Sequence, residues 1–457
     1  MLIDTHCHLD DPKFNPDRDE VVKRAVAAGV KYIVNIGSDL ENSKNAIAIA
    51  KKYPNVYATV GLHPHEARFC DDKAFSEFKK LAKAAKVVAI GEVGLDYYRN
   101  LSPKDAQEEV FKKFLGLAKE TNLAVVIHAR DADSDTLKIL KACKPKKGVL
   151  HCFSAGREML DEVLGMGFYI SYTCAVTFKN SDNLRQLVKA TPIERMMLET
   201  DAPYMAPQQH RGKRCEPAYV AILAEEVSRI KGLSPQDVGR ITSLNAAGFF
   251  GIQEFRGEEP AQTIAYKIRD SLYLNITNRC TNKCSFCVRN FTDFVKGHNL
   301  RLEREPSADE LIKAVGDPKQ YKQIVFCGYG EPTLRLDVVL EVSKALKQKG
   351  GQIRIVTNGH ANLINKCDIT AKLKGLVDEL SVSLDVDTKE KYNKFCQPDF
   401  GPDTFDKIKE FVIEAKKYIS FIEATFLDMP AVDIDKCKKL AVSLGVHCRI
   451  RKYNEVG

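Results

Sequence analysis

Two sets of side chains in this 457-residue chain have the types and spacing needed for chemistry. The first opens with His6-Cys7-His8. Alternate side chains of an extended strand share a face, so both imidazoles point one way and can share a divalent cation. Two histidines at this spacing are more often ordinary packed or surface residues. The metal reading gains weight from Glu92, His128, His151 and Asp201, each at or just after the end of an apolar run. They add a bridging carboxylate and further ligands, and mixed imidazole–carboxylate ligation suits zinc, manganese or magnesium. Two such ions about 3.5–4 Å apart can share an activated water and clamp a phosphoryl oxygen. The second set is Cys280-x-x-x-Cys284-x-x-Cys287. Three thiolates so spaced can hold three irons of a four-iron, four-sulfur (4Fe-4S) cluster and leave the fourth iron open. A zinc knuckle competes on spacing alone, and it needs a fourth ligand, for which His298 is available.

The elements that must position these groups are strands and helices in alternation. In the first half, short apolar runs at Leu2–Asp4, Tyr32–Ile36, Tyr57–Gly61, Val87–Gly91, Ala124–His128, Val149–His151, Phe168–Ser171 and Met196–Glu199 read as buried strands. Amphipathic stretches such as Asp19–Ala28 and Pro103–Lys119 lie between them. Eight β/α units in about 250 residues is the arithmetic of a (β/α)8 TIM barrel, whose catalytic face gathers the C-terminal ends of its strands. His6, His8, His63, Glu92, His128, His151 and Asp201 all fall there. A charged stretch with Gly and Pro, residues 254–262, reads as a linker between domains 1–253 and 263–457. Six further strands are expected near Leu272–Ile276, Ile324–Cys327, Ile353–Val356, Glu379–Leu384, Phe421–Thr425 and Cys448–Arg451. Six units predict an open, partial (β/α)6 barrel, so the fold class is α/β throughout.

Composition narrows the class. A hydrophobic fraction of 44% and a charged fraction of 28% are those of a soluble globular protein. The net charge of +8 is compatible with an anionic substrate without requiring one. No apolar run is long enough to cross a bilayer, and the N-terminal residues lack a secretory pattern, so a cytoplasmic protein without a membrane partner is expected. Fourteen cysteines in such a chain argue for metal or redox chemistry over disulfides.

The strings IDTHCHLD, GLHPHEA, GEVGLDYY, VIHARDA, HCFSAG, LETDAPYMAP and RGKRCEP follow one another in order. Over residues 1 to about 253 the chain thereby resembles the TatD family of metal-dependent deoxyribonucleases. The resemblance implies a two-metal phosphodiester hydrolase that trims DNA from an end. It assigns His6, His8, Glu92 and Asp201 to one metal and Glu92, His128 and His151 to the other, with Glu92 shared. Asp201 would also orient or deprotonate the attacking water. His63 and His65 would face the substrate, and Arg211, Lys213 and Arg214 would anchor phosphate. Cys215 stands where the family pattern usually has Asn, and Cys174 where it usually has Gly.

The second half carries RCTNKCSFC, then Phe326-Cys-Gly-Tyr-Gly-Glu-Pro-Thr333, Val356-Thr-Asn-Gly359 and Leu380-Ser-Val-Ser-Leu384 at successive strand ends. From about residue 263 onward it is similar to the radical S-adenosylmethionine (SAM) superfamily, and the whole chain looks like a TatD-linked fusion of that kind. The resemblance implies a 4Fe-4S cluster on Cys280, Cys284 and Cys287 and reductive cleavage of SAM to a 5′-deoxyadenosyl radical. An electron donor such as flavodoxin or ferredoxin would feed it. Phe286, Gly330, Glu331, Asn358 and Ser383 would form the SAM pocket, with Gly330 and Glu331 at its amino group. Cys396 is a candidate functional thiol, although a buried loop cysteine is its plainer reading. The fusion points to nucleic acid as the shared theme, DNA or else tRNA. Two other readings of the first half remain at this stage: hydrolysis of an ester on tRNA, and a non-catalytic scaffold for the radical domain.

Overall fold

The computed structural model describes residues 1–252, 262–290 and 293–452. The chain divides into two compact units, Met1–Glu258 and Glu259–Gly457. The expected linker, 254–262, lies outside the described residues except for Gln262.

The first unit is a closed ring of parallel strands in sequential order: β1 (Leu2–Cys7), β2 (Val30–Asn35), β3 (Val56–Val60), β4 (Val87–Asp96), β5 (Ala124–Arg130), β6 (Gly148–Leu150), β7 (Tyr169–Tyr172) and β8 (Met196–Leu198). Closure is made by the Thr5 hydroxyl donating to the Leu198 carbonyl at 3.1 Å and by a parallel bridge between Cys7 and Ala202. All eight expected strands are present, which makes this unit the TIM barrel foreseen. The longest intervening helix, Lys104–Thr121, buries Val110, Phe111, Phe114, Leu115 and Leu117 on one side, as its spacing dictates. Pro235–Phe250 begins with Ser234 capping the Asp237 amide and ends where Gly251 takes φ +68°. Its Phe249 and Phe250 pack with Ile3, Val34, Val126 and Met197 in one apolar cluster. Truncating a phenylalanine so buried costs about 3–5 kcal/mol.

Strand β4 is longer than its apolar run suggested. It continues through Gly91 and Gly94 to Asp96 because those glycines let it press against β5. A Cβ on Gly94, at φ +147°, would stand 1.9 Å from the His128 carbonyl oxygen.

The second unit is a seven-stranded open sheet. Six strands are parallel, in the order β10 (Ser271–Leu274), β13 (Gln323–Phe326), β14 (Ile353–Thr357), β15 (Glu379–Asp385), β16 (Phe421–Asp428) and β17 (His447–Lys452). These are the six expected strands. The seventh, β9 (Ala265–Ile268), pairs antiparallel with β10 and forms one edge. Its turn, Arg269-Asp270, carries no Gly or Asn, although Arg269 adopts φ +53°, so the usual hairpin signal was missing. A small ribbon, β11 (Phe294–Val295) with β12 (His298–Asn299), lies after the cysteine loop. In β15, Leu380, Val382 and Leu384 enter the apolar core, which by strand alternation sends Ser381, Ser383 and Asp385 to the opposite face. Arg354, Glu423, Arg449 and Arg451 join those residues through hydrogen bonds and ion pairs.

Candidate metal centre and cluster loop

In the first unit the strand ends bring five donors together around one carboxylate. Glu92 is 4% exposed, and its two oxygens serve different neighbours. Oε2 is 3.5 Å from His6 Nε2 and 4.0 Å from His8 Nε2. Asp201 Oδ1 completes that group at 3.7 Å from His6 Nε2 and 3.4 Å from His8 Nε2. Oε1 is 2.7 Å from both His128 Nδ1 and His151 Nε2. The donor chemistry fits two cations sharing Glu92. Both ring nitrogens of His6 are buried without a hydrogen-bond partner, as expected of a side chain shaped to ligate.

The surroundings orient these donors. Asp201 sits at φ +53°, its amide donating to the His6 carbonyl at 2.8 Å, so the loop after β8 is bound to the end of β1. Asp4 accepts from the Thr200 amide at 2.9 Å and the Thr200 hydroxyl at 2.6 Å, and burial pushes its carboxyl up to about 8. Burial would raise Glu92 too, but the facing histidines, His151 foremost, outweigh it and hold Glu92 well below the carboxylate range. For His8, burial acts downward and is overcome by Asp201, which lifts the imidazole to about 9. For His63 the charge of Glu92 acts upward but is outweighed. Burial drives it down to about 3, leaving a neutral imidazole 3.5 Å from Glu92 Oε1.

Two carboxylates escaped sequence reasoning. Asp96 Oδ2 lies 3.2 Å from His128 Nε2 and 3.0 Å from His65 Nε2, so it orients His128 from behind and ties His65 in place. Glu199, 1% exposed, accepts from the Ser171 hydroxyl at 2.6 Å and faces His151 Nδ1 at 3.7 Å. Both stood in the quoted motifs as the aspartate of GLDYY and the glutamate of LETDAP.

A cavity of about 890 Å³ opens over the centre. His8, His63, His65, Glu92, His128, His151 and Asp201 line it, with Arg99, Arg130 and Tyr204. The expected phosphate anchors are placed elsewhere. Arg214 forks onto Asp17 at 2.7 and 2.8 Å and reaches Glu216 at 2.9 Å. Arg211 stacks on Phe178 at 3.8 Å, and Lys213 is exposed. None of the three lines the cavity, because neighbouring carboxylates and an aromatic face hold the two arginines. Cys174 and Cys215, the departures from the family pattern, are both fully buried.

In the second unit, the loop after β10 carries Cys280, Cys284 and Cys287, and the strand ends beside it supply the rest of the motif. Asn358 Nδ2 donates to Thr281 Oγ1 at 2.9 Å and reaches Cys280 Sγ at 3.9 Å. Gly330 lets its backbone approach the loop, since a Cβ there would be 2.2 Å from the Arg279 carbonyl oxygen. Glu331 is 3% exposed. Its carboxylate accepts from the Thr333 amide and hydroxyl, the Thr357 hydroxyl and the Asn358 amide at 2.6–3.0 Å. That side chain thus ties β13 to β14. Phe286 packs on the core, and Ser383 accepts from Thr425 at 3.5 Å on the polar face of β15. His298 packs at a tilt against Tyr266, with centroids 4.9 Å apart, in the ribbon rather than at the cysteines.

The family model for TatD related DNase matches residues 3–251. The chain belongs to that family. The radical SAM superfamily model matches residues 274–436, so the second unit is a radical SAM domain. The metal-dependent hydrolase YabD of Bacillus subtilis is 41% identical over 254 residues, covering 55% of this chain and 100% of that protein. The 3'-5' ssDNA/RNA exonuclease TatD of Cronobacter sakazakii is 36% identical over 256 residues, 54% of this chain and 97% of its own length. The crystal structure of YJJV, a TatD homolog from Escherichia coli, superposes with a TM-score of 0.53 at 28% identity, over 55% of this chain and 98% of that one. The chain is therefore a metal-dependent hydrolase joined to a radical SAM enzyme, with divalent metals, a 4Fe-4S cluster and SAM as cofactors.

Proposed function

We propose that the first unit is a two-metal nuclease that removes nucleotides from the end of a single-stranded nucleic acid, and that the second generates a 5′-deoxyadenosyl radical. The first reading rests on the division of the two Glu92 oxygens between separate donor groups beneath the cavity. His6, His8, Asp201 and Glu92 would hold one cation, and His128, His151 and Glu92 the other. Bound there, the pair supplies Lewis acidity toward a phosphoryl oxygen and a more acidic water. Asp201 lines the cavity and takes the proton of the attacking water. His63, neutral, donates to a phosphate oxygen, while Arg99 and Arg130 on the cavity wall bind flanking phosphates. The exonuclease of Cronobacter sakazakii supports this substrate class by likeness.

In the second unit Cys280, Cys284 and Cys287 would hold the cluster. The backbone at Gly330–Glu331, with Asn358 and Ser383, would hold SAM. Bound there, the cluster would supply an electron for cleavage of SAM. We place the protein in the cytoplasm, with a flavodoxin- or ferredoxin-like electron donor. No described helix is long and apolar enough to cross a membrane.

The test is release of mononucleotides from 5′-labelled single-stranded DNA by chelator-treated protein, before and after manganese or magnesium is restored, with mischarged tRNA assayed alongside. Metal-dependent shortening of the DNA is the expected result. Deacylation of the tRNA with intact DNA would replace phosphodiester by ester hydrolysis.

A further inference from the structure

The exposed apolar side chains of the first unit are not scattered. Among its described residues six large ones are exposed, and four of these stand at the catalytic face: Phe69 after β3, Tyr98 and Leu101 after β4, and Tyr204 after β8. Single exposed apolar residues are ordinary, but a gathering of them beside a cavity marks a binding surface. Each of the three rings carries a cation. Arg130 sits 4.0 Å from the centroid of Tyr98, Arg68 4.7 Å from that of Phe69 and Lys13 4.8 Å from that of Tyr204.

The loop that presents Tyr98 is tied in place. The Gln107 side chain accepts from the Asp96 amide at 2.8 Å and donates to the Ser102 carbonyl at 2.8 Å. Ser102 Oγ accepts from the Arg68 amide at 3.1 Å and donates to the His65 carbonyl at 2.6 Å, which binds this loop to the segment after β3. Tyr98 is thus a ring 61% exposed on a fixed support, and Arg130, which lines the cavity, joins it to the metal centre. Charge divides the cavity wall. Arg99 and Arg130 line it at the ends of β4 and β5, Asp10, Asp11 and Asp39 line it after β1 and β2, and Glu66 stands between, after β3. In the eight-stranded ring β1 and β5 face each other. Tyr204, whose hydroxyl donates to Asp11 at 3.2 Å, belongs to the acidic side.

We propose that a single strand lies across this mouth: bases upstream of the cut stack on Tyr98, the phosphates there pair with Arg99 and Arg130, and Asp10, Asp11 and Asp39 repel any further phosphate, so that only a chain end enters. The inference rests on the nuclease reading and adds to it the residues that choose unpaired strands and ends. An interior base of a duplex is stacked on both faces, so a protein ring can take only a base that has left its stack. Arg130 over the ring adds cation–π attraction to the stack and offers its outer donors to phosphate. A continuous strand has to carry a phosphate past three carboxylates, whereas a terminal hydroxyl meets them without charge.

The test is steady-state hydrolysis by the full chain with manganese of a 5′-labelled single-stranded oligodeoxynucleotide, with and without a 3′-terminal phosphate. The variants are Tyr98→Ala, Tyr98→Phe and the double change Asp11→Asn with Asp39→Asn, whose amides keep the caps those residues make. Tyr98→Ala should raise KM about 5-fold or more, the contribution of one stacked base, with little change in kcat, and Tyr98→Phe should restore KM. The 3′-phosphate should lower kcat/KM several-fold in the wild type and less in the double asparagine variant. An unchanged KM in Tyr98→Ala, or a wild type indifferent to the 3′-phosphate, overturns the inference and leaves the nuclease reading standing. A wild type that shortens neither substrate with metal present defeats that reading, and this inference with it.

Discussion

In the first unit the reactive side chains arrive from around a closed ring: His6 from β1 and His8 just after it, Glu92 from β4, His128 from β5, His151 after β6 and Asp201 after β8. In the second they hang on one loop, steadied from the side by residues 395–399 and from below by Glu331. The ring fixes distances between groups that face each other across a cavity, which is what two ions and one shared carboxylate require. The open sheet fixes a loop and leaves one sheet face polar. Precise convergence needs closure, while a cofactor that does its own chemistry needs only to be held and sheltered.

Four tests, the last of them a pair of variants, would break or sharpen that contrast, here from the largest expected effect down. Glu92→Ala removes the shared carboxylate, and DNA hydrolysis should fall on the order of 10³-fold while 5′-deoxyadenosine formation persists. Glu331→Ala should do the reverse. It leaves the Thr333, Thr357 and Asn358 donors unpaired, lowers stability by about 3 kcal/mol or more, and spares hydrolysis. Denaturation followed by cluster absorbance and by nuclease activity would separate the two. Asp96→Asn acts behind His128 and should weaken metal binding by about 10–100-fold, read by calorimetric titration, with the fold intact. Arg130→Ala should raise KM several-fold, whereas Arg214→Ala should leave KM alone and cost about 1 kcal/mol of barrel stability, since Arg214 is held by Asp17 and Glu216.

A pH series gives a fifth test. His8 is raised to about 9 in the folded, metal-free protein, above the 6.5 of a free histidine. Its protonated form therefore contributes stability that is complete below pH 6.5 and lost as pH climbs through about 9. Metal binding needs the neutral ring, so metal affinity rises over the same interval. The gap in Tm between metal-loaded and chelator-treated protein should accordingly widen from pH 6.5 to 9. A constant gap would remove His8 from the ligand set.

Much of this was legible from residue order, and the misses have physical reasons. Apolar runs bounded by turns marked every strand of the ring, because buried parallel strands must be apolar on both faces. Where glycine interrupted the pattern the reading stopped early: β4 seemed to end at Gly91, so Asp96 looked like a loop residue and its place behind His128 was not seen. The basic trio at 211–214 shows the opposite error. Sequence supplies a charge and its neighbourhood but not the direction of a long side chain, and Asp17, distant in sequence, decides where Arg214 points. In the second unit β9 was missed because its two-residue turn uses Arg269-Asp270.

The closure of the ring also sets a schedule for its making. Thr5 and Leu198 are 193 residues apart, Asp4 and Thr200 are 196, and Arg24 and Glu216 are 192. At a synthesis rate of about 5–20 residues per second, β1 waits on the order of ten seconds or more for its partner across the seam. Until then it has one open edge, and contacts of such high order form slowly. His6 and Asp201, which face each other across the same seam, become neighbours only when the last strand docks. An ion held between them stabilises the shut ring over every earlier state, so metal supply becomes part of how this half of the protein matures.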